Sequence, residues 1–331
     1  MAKIIDVARR AGVSPSTVSH VLNGKRPISE ATRKRVLAAI EELQYRPNAN
    51  AQALKRSRSG IIGFFAADIT ELFVTEIIRG VESVIVPRDE HLLLVSGAEF
   101  GSDIGRALEF LTARTVDGLI VSYAVSQEIA HIDVAVGEIP IVTINGRLNE
   151  RIPSVEPDNR SGGAAAARHL AETGVENLAI LAGPANRSAG RNRLEGILKE
   201  SKTAGPRIVE HGIVHSEFSF DGGVAGMQTL LDRGLTFDGL FCANDYIAAG
   251  AMAVADSEGI RIPDQLKVVG FDDREFASFW PTPITTFRQP LYDMGRIAAR
   301  YIDDRIVNDL PIPLTTLLDS RLIVRSSSGS E

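Results

Sequence analysis

Three short motifs of this 331-residue chain carry polar side chains that could meet a ligand: AGRNRLEG with Arg191 and Arg193, CANDYIAAG with Asn244 and Asp245, and GFDDREF with Asp272 and Asp273. Each group ends an apolar run or opens a helical pattern. A guanidinium fork, a carboxamide and a carboxylate can together satisfy several hydroxyls of one polar ligand, as a sugar requires. Catalytic patterns are missing: there is no GxSxG elbow, HExxH helix or GxxxxGK[ST] loop, and Asp272 and Asp273 are neighbours in sequence rather than groups shown to face one substrate. In HGIVH at 211–215 the two histidines are four apart, but Gly212, Ile213 and Val214 favour a strand, on which they would not converge on a metal. SGGAAAARHL at 161–170 reads as a small-residue helix packed tightly on a sheet. The chain is therefore expected to be no enzyme and to carry no cofactor or metal.

A second kind of chemistry lies in DVARRAGVSPSTVSHVLNG, Asp6 to Gly24. Ile5, Val7, Ala8 and Ala11 have helical spacing, Gly12 breaks the pattern, and Ser14 with Pro15 supplies a cap and a first helical residue. Val18, Val21 and Leu22 give the next helix a buried stripe, leaving Ser16, Thr17, Ser19, His20 and Asn23 outward. Such short hydrogen-bonding groups near a helix N-terminus suit phosphates and base edges. A third helix, capped by Ser29 and carrying Arg33, Lys34 and Arg35, closes the core with Val36, Ile40 and Leu43. Three helices of this kind match a helix-turn-helix unit.

Charge agrees with that placement. Residues 1–60 hold 12 Lys and Arg against 4 Asp and Glu, a net of +8, whereas the rest holds 24 against 38, a net of −14. A basic head on an acidic body fits a head that meets a polyanion. With 44% hydrophobic and 24% charged residues the chain is of ordinary globular type. Cys242, the one cysteine, allows no disulfide within the chain. Neither a signal peptide nor a run of about 18 apolar residues is found, so a cytoplasmic protein with no membrane contact is expected.

DVARRAGVSPSTVSHVLNG, followed by YRPNANAQALKRSRSG at 45–60, resembles the DNA-binding head and hinge of the lactose-repressor (LacI/GalR) family of bacterial transcription regulators. Its VSHVLN wording is similar to that of the purine-repressor type rather than to members with arginine at the histidine position. The resemblance implies operator reading by Pro15, Ser16, Thr17 and His20, with Ser14 and Asn23 nearer the backbone. It also implies a hinge helix that folds on double-stranded operator DNA, with Asn48 among the contacts, Ala51 at the helix pair and Leu54 wedged into a base step. A basic flexible linker is the other reading of residues 47–58, since so short and weakly apolar a helix is marginal alone.

From Ile61 onward short apolar runs alternate with helical patterns, the signature of parallel α/β sheets with helices on both faces. SGIIGFF and ENLAILA recur 117 residues apart, and VDGLIVS and FDGLFCA 121 apart, so two similar lobes with a cleft at the strand ends are expected. The whole is thus α/β: a head at 1–46, a hinge at 47–59, and a two-lobed core resembling periplasmic binding proteins at 60–331. By position in the family's motifs the effector contacts fall on Arg193, Asn244 and Asp272, while Asp245 and Asp273 are assigned as helix caps. The internal echo puts Arg193 and Asp272 on opposite lobes. Phe73, Asn145 and Phe218 are further lining candidates, and Trp280 is a second ring that stacking would use. Asn145 stands where the family often has an acid, and ELFV at 71–74 replaces Asn-Pro-Phe-Phe. These departures leave open a sugar, a purine, or an anionic metabolite held by Arg187, Arg191 and Arg193. The reading is a ligand-responsive repressor acting as a homodimer, since DSRLIVRSSSGSE carries no heptad for a higher coiled coil. The rival is a sugar-binding or enzymatic protein with a DNA-targeting head.

Overall fold

The structure, a computed structural model, describes residues 2–23, 26–45, 58–66, 69–70, 72–97, 104–113, 116–122, 139–147 and 150–329. The chain divides after Gly60 into two compact units. Asn48, Ala51 and Leu54, the hinge contacts, lie outside the described residues.

In the first unit, helices α1 (Ile4–Ala11), α2 (Pro15–Asn23) and α3 (Glu30–Glu42) enclose Val7, Ala8, Ala11, Val18, Val21, Val36 and Ala39. Asp6 accepts the Lys3 N–H at 2.8 Å at the start of α1, and Gly12, at φ 65°, ends it. That left-handed φ is why glycine breaks the pattern there. Ile5 is not in the core: it is 54% exposed, and Ile4 packs in its place. The two share the stripe's edge, and the approach of α3 decides between them.

The second unit holds two parallel sheets. The first has the order β11-β5-β4-β3-β1-β2, built from β1 (Ile61–Ala66), β2 (His91–Ser96), β3 (Gly118–Ser122), β4 (Ile141–Ile144), β5 (Ser154–Pro157) and β11 (Thr315–Leu318). The second has the order β7-β6-β8-β9, from β6 (Asn177–Ala182), β7 (Arg207–His215), β8 (Gly239–Cys242) and β9 (Lys267–Val269). Strand order around β1 and β6 is the same, but the sequence echo is one residue out of structural register on the first strand: Ile62 pairs with Gly118 and Leu178 with Gly239, so the structural counterpart of Ile62 is Leu178 and not Ala179. Strand interiors are apolar on both sides because helices cover both. Ile62, Phe64 and Ile120 face a cluster with α4 (Leu72–Ile85) and α10 (Leu291–Asn308), while Gly63 faces Leu111 of α5 (Ile104–Ala113). HGIVH lies on β7, as its composition predicts.

The chain crosses between lobes three times. Pro157 leads into α6 (Asn159–Glu172), which packs with α7 (Ser188–Ser201) in the second lobe. β10 (Thr286–Arg288) leads back to α10 in the first lobe, and β12 (Arg321–Ile323) returns to pair antiparallel with β10. Two glycine contacts set these helices. A Cβ on Gly295 would fall 2.0 Å from the Ile77 carbonyl of α4, and one on Gly163 would fall 2.1 Å from the Arg193 carbonyl of α7. The small residues of SGGAAAARHL thus serve helix against helix as well as helix against sheet. α8 (Phe220–Asp232) and α9 (Asp245–Ser257) complete the second lobe. No helix among the described residues is long and apolar enough to cross a membrane.

Candidate functional site

On the head, α2 begins where Ser14 Oγ accepts the Thr17 N–H at 3.2 Å, and the same hydroxyl lies 2.7 Å from Ser16 Oγ and 2.9 Å from Thr17 Oγ1. Val18 and Val21 are buried on one side, which leaves Pro15 and Ser16 exposed and Thr17 and His20 half-buried on the other. Asn23 ends the helix, and its side chain lies outside the described residues. Arg10 is committed to Glu42 through two contacts, at 3.0 and 2.7 Å. Arg33, Lys34 and Arg35 stand exposed on α3. The head thus offers hydroxyls and an imidazole on α2 and exposed cations on α3, the mixture that positions on phosphates and reads base edges.

In the second unit the C-terminal ends of both parallel sheets open on one cleft of about 660 Å³. Phe73, Asn145, Arg193, Phe218, Asn244 and Asp272 all line it. Ligands of open α/β sheets lie at such strand ends.

Arg193 is the most constrained of the six. It is 3% exposed on α7, its Nε donates to Asn159 Oδ1 at 2.8 Å, and an Nη donates to the Ala243 carbonyl at 2.5 Å. The other Nη lies 3.5 Å from Asp272 Oδ1, and the guanidinium carbon sits 3.7 Å from the centre of the Phe271 ring. Burial pulls its pKa down from the usual arginine value, and Asp272 and Asp245 oppose the shift. Asp272 in turn accepts from Gln289 Nε2 at 2.6 Å and adopts φ 111°, a backbone state that side chains other than glycine rarely hold. Asn145 is also left-handed, at φ 62°. Backbone strain of this kind clusters where a site is built.

Phe218 presses on the Gly183 backbone so closely that a Cβ there would fall 2.3 Å from its ring, which pins the ring as a platform. Asn244 caps α9 through Oδ1, 2.8 Å from the Ile247 N–H, leaving its amide donors as what it can offer the cleft.

Several expectations need correction. Arg193 and Asp272 share the second lobe: Asp272 follows β9 and Phe271 packs in that lobe's core. The echo relates strands, and the motifs carrying these two residues both belong to its second copy. Asp245 and Asp273 are not caps. The cap is Asn244, Asp245 is fully buried, and Asp273 binds Arg288 and Arg325, each at 2.6 Å. Trp280 packs edge-on against Phe276 and at a tilt against Phe220 rather than lining the cleft. Arg191 is exposed and off the lining, so of the three arginines only Arg187 and Arg193 reach it.

Ser122, Tyr246, Arg274 and Gln289, none of them among the expected lining residues, also line the cleft. Ser122 ends β3, so the rule that singled out polar strand ends applies to it. Its hydroxyl is buried without a hydrogen-bond partner among the described residues. Gln289 carries no such signal, because only the return of the chain through β10 brings it to Asp272.

Residues 3–48 match the family model for bacterial regulatory proteins of the lacI family, and residues 167–328 match that for a periplasmic binding protein-like domain. The chain is 32% identical over 328 residues to the ribose operon repressor of Haemophilus influenzae, covering 99% of this chain and 98% of that protein. It is 34% identical over 338 residues to the HTH-type transcriptional repressor PurR of Escherichia coli O139:H28, covering 99% and 97%. Among solved structures it is similar to a transcriptional regulator CelR-cellobiose complex, with TM-score 0.74, 32% identity and coverage of 99% and 100%. It is also similar to the lac repressor dimer bound to operator and the anti-inducer ONPF, with TM-score 0.85, 27% identity and coverage of 99% of both chains. With relatives above 30% identity along almost its whole length, and the head and core each matched, the chain belongs to the LacI family of bacterial regulatory proteins.

Proposed function

We propose that this protein is a ligand-responsive transcriptional repressor. In this reading a homodimer binds a pseudo-palindromic operator through α2, with a hinge within 47–59, and a small polar effector in the cleft of residues 60–331 sets operator affinity. The observation that carries the effector reading is the Arg193–Asp272 pair at the base of a cleft fed by the strand ends of both sheets. It favours a neutral polyhydroxyl ligand such as a sugar. The buried cation is already opposed by a carboxylate, so a hydroxyl that accepts from one and donates to the other needs no counter-charge. Phe218 supplies a flat face for the apolar side of a ring. A purine or an anionic metabolite is the second reading, supported by Arg187 on the lining and by the purine-repressor relative. Homodimerisation is supported by apolar side chains left outward, including Leu94 on the edge strand β2 and Phe279, 70% exposed.

A thermal-shift screen of sugars, sugar acids, sugar phosphates and purines tests the effector reading, because a ligand of the folded state raises apparent stability by mass action. Stabilisation by a neutral sugar supports it. Stabilisation by purines or anions alone moves the assignment to the second reading, and turnover of any compound instead of binding overturns it.

A further inference from the structure

Asp245, the fourth residue of CANDYIAAG and the first of α9, is not exposed at all and does not line the cleft. Its two oxygens nevertheless hold the loop that carries Asp272. Oδ2 accepts the Arg274 backbone N–H at 2.7 Å, and Oδ1 lies 2.6 Å from the Thr286 hydroxyl of β10. Thr286 Oγ1 also accepts the Asp273 N–H at 3.2 Å. Two successive amides are thereby tied to one buried carboxyl, directly and through a hydroxyl. These amides follow and include the residues in left-handed conformations, Asp272 at φ 111° and Asp273 at φ 53°. A loop in that conformation persists only where the surroundings over-determine it.

The charged groups around Asp245 come from three directions. Asp272, Asp273 and Arg274 belong to the loop, Arg193 approaches from α7, and the Cys242 thiol comes from β8. Asp273 is already neutralised by Arg288 and Arg325, and Asp272 faces Arg193. Among the described residues no cation forms an ion pair with Asp245, and an uncompensated buried carboxylate is costly.

We propose that Asp245 is a positioning residue that carries a proton at neutral pH, and that its ionisation loosens the 272–274 loop and withdraws Asp272 from the effector cleft. In the acid form Oδ1 still accepts from the Thr286 hydroxyl, which keeps its bond from the Asp273 N–H, and Oδ2, which carries the proton, still accepts the Arg274 N–H through a lone pair. Loss of the proton puts a third carboxylate beside Asp272 and Asp273. Burial pushes the Asp245 carboxyl up to about 8, Asp272 adds to the shift, and the bonds from Thr286 and Arg274 work against it. The consequence for ligand response rests on the effector reading of the cleft; the loop transition does not.

Trp280, the chain's one tryptophan, packs against Phe276 of the 3₁₀ turn Glu275–Ser278 that follows this loop. Its fluorescence therefore reports the loop without any ligand. In the full-length protein, titrated from about pH 6.5 to 9.5, the parent is expected to show a reversible transition centred near 8, and Asp245→Asn none. Thr286→Val, which removes a bond favouring the ionised form, is expected to move the midpoint upward by about one pH unit or more. That variant decides the question if Asp245→Asn does not fold. A flat parent titration, a transition retained in Asp245→Asn, or an unmoved midpoint in Thr286→Val would overturn the proposal. If the transition behaves as expected but a stabilising sugar binds equally at pH 7 and 9, the loop is titrated by Asp245 without gating the cleft, and the gating half falls.

Discussion

Replacing Arg193 by alanine is expected to cost stability before it costs response. The side chain is buried, gives hydrogen bonds to Asn159 and Ala243, faces Asp272 and stacks on Phe271. Removing one partner of a fully buried ion pair costs about 3–5 kcal/mol, and the low end applies here because Asp272 lines the cleft and is partly exposed. The Asn159 and Ala243 oxygens would each lose a charge-assisted donor, at about 1–3 kcal/mol apiece where no water replaces it. These losses share one cavity and do not add, so a total of about 4 kcal/mol is reasonable. Against a typical stability of about 5–15 kcal/mol, the variant should fold but unfold early. At about 2–4 °C per kcal/mol for a unit of this size, Tm should fall by roughly 8–16 °C. Circular-dichroism melts of parent, Arg193→Ala, Asp272→Asn and the double variant measure both the loss and the pair's coupling, expected at about 0.5–3 kcal/mol. An Arg193→Ala Tm within about 2 °C of the parent would refute the description of Arg193 as a buried node. It would leave Arg193 as a ligand contact alone.

His20→Ala should weaken operator binding by about 1–3 kcal/mol at matched salt while leaving nonspecific DNA binding nearly unchanged; equal operator affinity in a gel-shift titration rules His20 out as a reader. Gly295→Ala should destabilise the core by about 1–3 kcal/mol or more, since its Cβ would meet the Ile77 carbonyl of α4; an unchanged melt would mean that the helices part freely. His169, 2.7 Å from Ser328 Oγ, has its pKa lowered chiefly by burial. The unfolded chain therefore takes up a proton near pH 6.5 that the folded chain refuses, and stability should fall as pH drops below that value toward the folded pKa. His169→Asn should flatten that part of the profile, and an unaltered acid limb of the Tm-against-pH curve would contradict the assignment.

The head was legible because its signals are local. Helical spacing, Gly12 and Ser14 each act within a turn or two, and the one misplacement, Ile5 for Ile4, occurred where the packing of α3 decides. The two sheets were legible because strands buried on both faces read as apolar runs, and their echo survived as shared strand order. Polar strand ends pointed to the cleft for the same reason. What sequence order concealed was the return of the chain: Gln289 and Thr286 reach Asp272 and Asp245 only through the crossover at β10. Whether Asp245 caps a helix or lies beneath a loop depends on that partner from 41 residues away. Asn244, one residue earlier, makes the cap bond instead.

The central claim is that the cleft and the operator-binding head are linked through the effector. Asp272→Asn tests it most directly, because asparagine tolerates left-handed backbone and keeps a group for Gln289 while removing the carboxylate. Operator DNA is titrated by fluorescence anisotropy with and without the sugar that stabilises the parent most, for parent and variant. Linkage limits the ligand's effect to its differential affinity for two conformations, about 1–3 kcal/mol or roughly 5–150-fold in operator affinity. The account predicts a change of that size in the parent and its loss in Asp272→Asn, with ligand-free operator affinity almost the same in both. A variant that responds as fully as the parent would contradict it.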